Sequence, residues 1–346
     1  MKVLFILEAG IPEYRNFLLE RLATENEISE FLILHTGRIY NGQGNYNSKK
    51  VKFVGNNKLG FHIGVGKYIF KYDVVVSSYN LRILTCWLPV FFKNKFIFWG
   101  KGLGNNEGRI VKLLRQITAN KARYILVYND AKKKEFLKKI QVPEKKIIAY
   151  TNSIYISNPG VKLDTKRDYF LYFGRIQERK GLEQLISQYK VYLDKINDIN
   201  RKKLRFVGNG EYVDKLKNIT QQLKLHDYIE FFPGVYDDQS IKMHFDAAVA
   251  YVSPFNVGLS IVNSLAYGVP VITCGKPQVG PEFYYLNKQN SLIMENLHEL
   301  SDTFLKLSEN NNEERYLNCY NYYLNYLDSN IMYKNFLTTI MKTWNE

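Results

Sequence analysis

Arg175 and Lys180 bracket a short turn, Gly174-Arg-Ile-Gln-Glu-Arg-Lys-Gly181, that follows the apolar run Tyr169-Phe-Leu-Tyr-Phe173. A guanidinium and an ammonium converging on one crevice can hold a diphosphate and neutralise the charge that grows as it leaves. Gly208-Asn209-Gly210 follows the next apolar run, over 204–207, and forms a tight turn that lets backbone approach a ligand. A third segment, residues 251–273, reads as a strand end, a turn carrying Gly258, a helix from Leu259 to Tyr267, a glycine stop and a second buried strand. The first turn of such a helix offers N–H groups to an anion. A phosphate-bearing ligand is therefore expected around Gly174, Arg175, Lys180, Gly208, Asn209, Gly258 and Leu259.

Other chemistries lack a signature. The first apolar run is followed by Glu8-Ala9-Gly10-Ile11-Pro12 and not by Gly-x-Gly-x-x-Gly, and no Gly-x-x-x-x-Gly-Lys-Ser/Thr loop occurs. His35, His62, His226, His244 and His298 show no ligand spacing, and Asp237 and Asp238 are adjacent rather than spaced as Asp-x-Asp. Neither a metal site nor a dinucleotide cofactor is expected.

Such a crevice needs a framework, and 346 residues exceed one comfortable core, which predicts two domains. Hydrophobic residues make up 46% of the chain, ample for buried sheets. Cys86, Cys274 and Cys319 are scattered and odd in number, so they indicate neither a disulfide framework nor a metal site. The opening apolar run is too short for a signal peptide. The longest apolar stretch, residues 83–92, is broken by Pro89 and falls well below the ~20 residues of a membrane span. A cytoplasmic protein is the expectation.

The net charge of +15 is unevenly placed. Residues 1–168 hold 29 Lys and Arg against 13 Asp and Glu, whereas residues 169–346 hold 19 against 20. The first half thus carries a field that attracts a polyanion, either nucleic acid or an anionic membrane. Its clusters are Lys49, Lys50 and Lys52; Lys132, Lys133 and Lys134; and Lys138 and Lys139. Lys93, Lys95 and Lys101 alternate with Phe91, Phe92, Phe96, Phe98 and Trp99. Positive charge beside exposed aromatics suits lipid headgroups. The competing reading makes the aromatics core and the lysines solvated edges.

Short apolar runs over 2–7, 31–34, 73–77, 95–99, 124–128 and 146–150 alternate with helical segments, which argues a parallel sheet covered on both faces. Residues 40–48 are polar and glycine-rich and read as a mobile loop near the first crevice. A second α/β unit follows, with strands over 169–173, 204–207, 228–232 and 247–252 and a helix bearing Leu182, Leu185, Ile186 and Tyr189. The expected organisation is a domain over 1–155, a linker over 156–168, a second domain over 169–325, and a C-terminal helix over 326–346 that packs back on the first.

Tyr172-Phe-Gly-Arg-Ile-Gln-Glu-Arg-Lys-Gly181, Phe206-Val-Gly-Asn-Gly210 and residues 253–272 resemble the three signatures of retaining sugar-nucleotide glycosyltransferases of family 4 (GT4). The resemblance is specific over 169–294 and general in the first half. It implies the α/β GT-B fold, two Rossmann-like parallel-sheet domains facing a central cleft, with the acceptor on the first domain and the nucleotide sugar on the second. It further implies transfer of a sugar from a nucleoside-diphosphate sugar to a glycan or lipid-linked glycan in bacterial surface-polysaccharide synthesis, such as capsule or lipopolysaccharide. Retention and metal independence are part of that expectation, and the nucleotide sugar is a substrate, not a cofactor. An anionic membrane at the inner face of the cell membrane is then an expected partner, and nucleic acid is not.

The chain departs from the family at two positions. Members usually carry two glutamates eight positions apart in the last signature, where this chain has Phe255 and Asn263. An amide still bonds a ribose hydroxyl, without charge assistance, but a phenyl ring cannot replace an acid. Glu282 is the carboxylate left nearby in sequence for the donor sugar. Lys101 stands where members often have a histidine near the reacting sugar, and joins Arg175 and Lys180 as a catalytic candidate. Two alternatives stay open: a polyanion-binding or catalytically degenerate GT-B protein, and a sugar-nucleotide epimerase, which needs no acceptor.

Overall fold

Apolar runs bounded by polar turns become the strands of two parallel sheets, one in each of two units of the computed structural model. The structure describes residues 1–38, 44–56, 58–104, 108–275, 280–310 and 312–346. Residues 40–43 of the glycine-rich stretch and Val279 lie outside them. Unit one comprises Met1–Tyr155 and Ser329–Glu346, and unit two Ile156–Asp328.

The first sheet contains β1 (Lys2–Ile6), β2 (Glu30–His35) and β3 (Asn47–Lys50). A hairpin of β4 (Phe53–Gly55) and β5 (Gly60–His62) stands apart from it, and the sheet resumes with β6 (Val74–Ser78), β7 (Phe96–Gly100), β8 (Tyr124–Val127) and β9 (Ile147–Ala149). Their spatial order is β3-β2-β1-β6-β7-β8-β9, all parallel. Successive side chains of a strand point to opposite faces. Leu4, Ile6, Phe96 and Phe98 accordingly enter one core, and Val3, Phe5, Ile97 and Trp99 the other.

That alternation corrects the reading of residues 91–101 as exposed aromatics. Phe96, Phe98 and Trp99 are buried because both faces of the strand are covered, and only Phe91 and Phe92 reach the surface. The lysine runs likewise fall on solvated faces. Lys132 and Lys139 pair with Glu135 along the helix Asp130–Lys139, and Lys49 and Lys50 lie on the edge strand β3. Asn47 and Ser48, expected in a mobile loop, are part of that strand, paired with Leu32 and Ile33. A polar, charged edge of this kind discourages pairing with another chain.

The helix Ser329–Asn345 completes the second face of this sheet. Phe336 meets Trp99 edge-on at 5.3 Å and Tyr150 at 4.9 Å, and the Arg21 guanidinium lies 3.9 Å from the Tyr333 ring centroid. The chain leaves unit two through a π-helical turn, Tyr323–Leu327, so the crossing falls at Asp328–Ser329, not at 326.

Unit two repeats the plan with β10 (Tyr169–Phe173), β11 (Lys203–Val207), β12 (Ile229–Phe232), β13 (Ala248–Val252), β14 (Val271–Cys274) and β15 (Ser291–Met294). Their order is β12-β11-β10-β13-β14-β15. Leu182, Leu185, Ile186 and Tyr189 of the helix Leu182–Lys195 are all buried, as their spacing requires. Residues 156–168 are not a free linker. The Gly160 N–H donates to the Ala266 carbonyl at 3.0 Å, and buried Arg167 donates to the Ala248 carbonyl at 2.6 Å while stacking on Tyr316. An arginine committed to carbonyls and a ring ties the segment to unit two.

In each sheet the chain winds outward from one strand and returns on its other side, between β1 and β6 and between β10 and β13. A crevice forms at such a switch point, outside the carboxyl ends of the strands. The turns after β10 and β13 carry the expected phosphate-binding residues.

Among the described residues, both ring nitrogens of buried His62 and Nδ1 of buried His244 lack a hydrogen-bond partner, and burial holds both imidazoles below the usual histidine range. The folded state therefore keeps them neutral, while the unfolded chain takes up protons below about pH 6.5. Stability is expected to fall as pH drops below that value. His62→Leu should reduce this dependence and cost little at pH 7.5, because it removes an unpaired polar group worth about 1–3 kcal/mol. Urea unfolding of both proteins at pH 7.5 and 5.5 measures the difference.

Candidate functional site

The turn after β10 and the turn after β11 meet backbone to backbone. The Gly174 N–H donates to the Val207 carbonyl at 3.0 Å, and the Ile176 N–H to the Asn209 carbonyl at 2.9 Å. A Cβ on Gly208 would fall 1.9 Å from the Gly174 oxygen, and one on Gly210 1.9 Å from the Ile176 oxygen. Glycine is thus required at both positions. The Tyr172 hydroxyl donates to the Arg175 carbonyl at 2.7 Å, fixing the backbone that bears the exposed guanidinium. Asn209 accepts from the Gly234 N–H through Oδ1 at 3.0 Å, so its side chain orders the turn after β12.

Lys180 binds the other wall of the crevice. Its half-buried ammonium donates to the Asn256 carbonyl, and Asn256, at φ 53°, returns a bond from Nδ2 to the Arg179 carbonyl at 3.3 Å. Burial pushes the Lys180 pKa down to about 8, Arg179 and Arg175 add to the fall, and Glu282 opposes it. The following Gly181 sits at φ 69° under the Phe255 ring, which a Cβ would approach to 2.6 Å. Phe255 therefore packs against the turn that carries Lys180.

The helix after β13 spans Ser260–Ala266, one residue shorter at each end than its spacing predicts. The N–H groups of Ile261 and Val262 donate to the carbonyls of Gly258 and Leu259 at 3.1 and 2.9 Å. The first turn is thus tightened, and Gly258 and Leu259 stand just before the helix. The Ser260 hydroxyl lies 3.5 Å from the Cβ position of Gly174, which brings the two turns together. Asn263, 7% exposed, stands on this helix. Glu282, 6% exposed, lies in the turn Pro281–Tyr285, which is held near Lys180 by the packing of Gly280 on the Val257 carbonyl.

Gly174, Arg175, Lys180, Gly208, Asn209, Gly258, Leu259, Asn263 and Glu282 thus converge on the strand ends of unit two. Lys101 belongs to unit one. It follows β7 in unit one, on the rim of a cavity of about 1190 Å³ at the ends of β1, β6 and β7. Arg15, Lys58, Arg82 and Arg115 line that cavity as well. Sequence reasoning missed them because they come from separated turns and helices; only their basic character hinted at a role. Asn256 and Tyr172 were missed too, since one acts through a carbonyl and the other on one. Among the described residues no three His, Cys, Asp or Glu side chains gather as metal ligands do.

A nucleoside diphosphate is expected to bind unit two less tightly as pH rises through about 8, where the Lys180 ammonium loses its proton. Lys180→Arg should flatten that dependence, since arginine stays charged. Calorimetric titration of UDP, GDP and ADP from pH 6.5 to 9 checks both outcomes.

Residues 157–323 match the family of glycosyl transferases group 1. An uncharacterized glycosyltransferase of Haemophilus influenzae is 26% identical over 183 residues, covering 51% of this chain and 50% of its own. Alpha-monoglucosyldiacylglycerol synthase of Streptococcus pneumoniae is 26% identical over 180 residues, covering 46% and 39%. The matches thus span half or less of these curated relatives. The structure of Anabaena Alr3699/HepE in complex with UDP superimposes with a TM-score of 0.71 at 14% identity, covering 99% of this chain and 100% of that one. Its likeness extends the agreement in fold to unit one. The chain therefore has the GT-B fold, and residues 157–323 within it match the group 1 glycosyl transferases.

Proposed function

We propose that the protein transfers a sugar from a nucleoside-diphosphate sugar to a glycan or lipid-linked glycan acceptor in the synthesis of a bacterial surface polysaccharide. The observation that carries this reading is the Lys180 ammonium, half-buried beside Glu282 and joined with Arg175 around the turns after β10 and β13. Two cations and the amides of Gly258 and Leu259 suit a diphosphate, and Asn263 and Glu282 offer an amide and a carboxylate to ribose and sugar hydroxyls. A neighbour in fold whose structure contains UDP, and a relative named alpha-monoglucosyldiacylglycerol synthase, support donor and lipid acceptor respectively.

In the reaction the bond between the anomeric carbon and the diphosphate oxygen breaks, and Arg175, Lys180 and the turn amides stabilise the departing charge. The acceptor hydroxyl forms the new bond on the same face, and its proton passes to the leaving diphosphate. Neither a side-chain nucleophile nor a metal enters this scheme. The acceptor would be held by unit one, with Lys101 at the rim of its cavity as the candidate next to the reacting sugar.

Unit one would rest on anionic lipid at the inner face of the cell membrane. No helix among the described residues is long and apolar enough to cross a membrane. Instead, Phe92 is 67%, Ile110 83% and Leu113 62% exposed, on the turn and helix that pack together after residues 88 and 109. Arg109, Lys112, Lys93 and Lys95 surround them in sequence. Apolar anchors among basic residues are the composition of an interfacial helix.

Incubation with a panel of nucleotide sugars should release free nucleoside diphosphate from one of them, and excess EDTA should leave the rate unchanged. Restoration of a chelated enzyme by magnesium or manganese alone would contradict the charge-only scheme. Arg175→Ala and Lys180→Ala should each lower kcat/KM roughly 10²-fold, the loss typical of one oxyanion-type donor. Rates equal to those of the unsubstituted protein in both variants would overturn the assignment. The full chain should co-sediment with anionic but not neutral vesicles at low salt, and Phe92→Glu with Leu113→Glu should weaken that binding; sedimentation indifferent to lipid charge would remove the membrane docking.

A further inference from the structure

The unit-one cavity is lined by five basic side chains and one carboxylate, and its chemistry names an acceptor class. Arg15 forms part of its floor. It is buried, donates to Asn152 Oδ1 and to Met332 Sδ, and packs against the Trp99 and Tyr14 rings, meeting no carboxylate among the described residues. Arg115, also buried, stacks 4.6 Å from the centroid of Tyr79. Lys58 and Arg82 stand exposed on the rim, each without an ion-pair partner among the described residues. Glu8, the acid of the set, accepts a hydrogen bond from Asn80 Nδ2. A net positive cavity walled by low-dielectric protein concentrates an anion.

One wall is of a different kind. The helix Arg109–Lys121 presents Ile110, Val111 and Leu114 to the cavity, and Leu113 and Ile117 continue the apolar surface outward. Ile110, Leu113 and Ile117 follow the i, i+3, i+7 spacing of one helix face. Exposed aliphatic side chains beside a basic basin fit a ligand that is charged at one end and hydrocarbon at the other. A neutral glycan would leave both features unused.

We propose that this cavity binds a phosphate-bearing amphiphile, a saccharide joined through a phosphate or diphosphate to a long aliphatic chain. The phosphate lies between Arg82 and Lys58, with the field of buried Arg15 beneath it, and the chain leaves over Ile110 and Val111 along the helix. This inference rests on the transferase reading for the role of the ligand as acceptor, but the binding it requires is measurable without donor or turnover.

The test titrates the full chain, below the micellar concentration of each compound, with farnesyl diphosphate, farnesol and inorganic pyrophosphate, following tryptophan fluorescence and calorimetric heat. Farnesyl diphosphate is expected to bind at least about tenfold more tightly than either fragment, the yield of one charge-assisted contact. Arg82→Ala with Lys58→Ala should abolish the advantage over farnesol, and Ile110→Asp with Val111→Asp the advantage over pyrophosphate. Excess UDP, which occupies unit two, marks any binding of the diphosphate there: binding displaced by UDP overturns the cavity assignment. Farnesol binding as tightly as its diphosphate overturns the anionic half, and pyrophosphate binding as tightly overturns the aliphatic half in favour of a free phosphate. Amphiphile binding that meets these criteria, in a protein that releases nucleoside diphosphate from no nucleotide sugar, supports the inference while the transferase reading fails.

Discussion

No side chain fits between the turns that follow β10 and β11, and the crevice of unit two depends on that exclusion. Gly208 and Gly210 let one peptide rest on the carbonyls of the other at contact distance. Only then do the bonds from Gly174 to Val207 and from Ile176 to Asn209 close, and only then does Arg175 leave the strand end in a fixed direction. A methyl group at either glycine would clash with a carbonyl oxygen and force the turns apart. The energetic cost of glycine in the unfolded chain is offset by this close approach.

Lys180 is the second element of the same design. Its hydrogen bond to the Asn256 carbonyl links the turn after β10 to the turn after β13, so one side chain both closes the crevice and charges it. Partial burial beside two arginines makes that charge costly. Phe255 then has a clear structural role: its ring covers Gly181 and supports the lysine from behind.

Unit one uses the same topology for another purpose. Its switch point opens a larger basin whose cations come from the helix after β1, the hairpin, the turn after β6 and the helix after β7. The positive excess of the first half is not itself this site. Much of it lies on solvated helix faces and on the edge strand, where Lys132, Lys133, Lys139 and Lys146 pair with acids or carbonyls. Exposed pairs of that kind contribute little to stability. What remains at the basin is a small, specific subset.

The order of strands and helices was legible in the sequence because parallel strands covered on both faces read as unbroken apolar runs, and helices as 3.6-residue periodicity. Leu182, Leu185, Ile186 and Tyr189 are a direct example. So were the three turns of the unit-two crevice, because each lies within a few residues of a strand end. The hairpin β4–β5 and strand β15 escaped notice, being short and mixed in polarity, and the aromatics at 96–99 were open to a membrane reading because alternation alone does not say whether the second face is covered. Contacts between distant segments belonged to the tertiary structure alone: Asn256 under Lys180 and Arg15 beneath the basin with Asn152. Local sequence determines backbone preference and which face is apolar; which side chains from remote turns then share one crevice depends on strand order, and strand order is settled by how whole apolar faces bury one another.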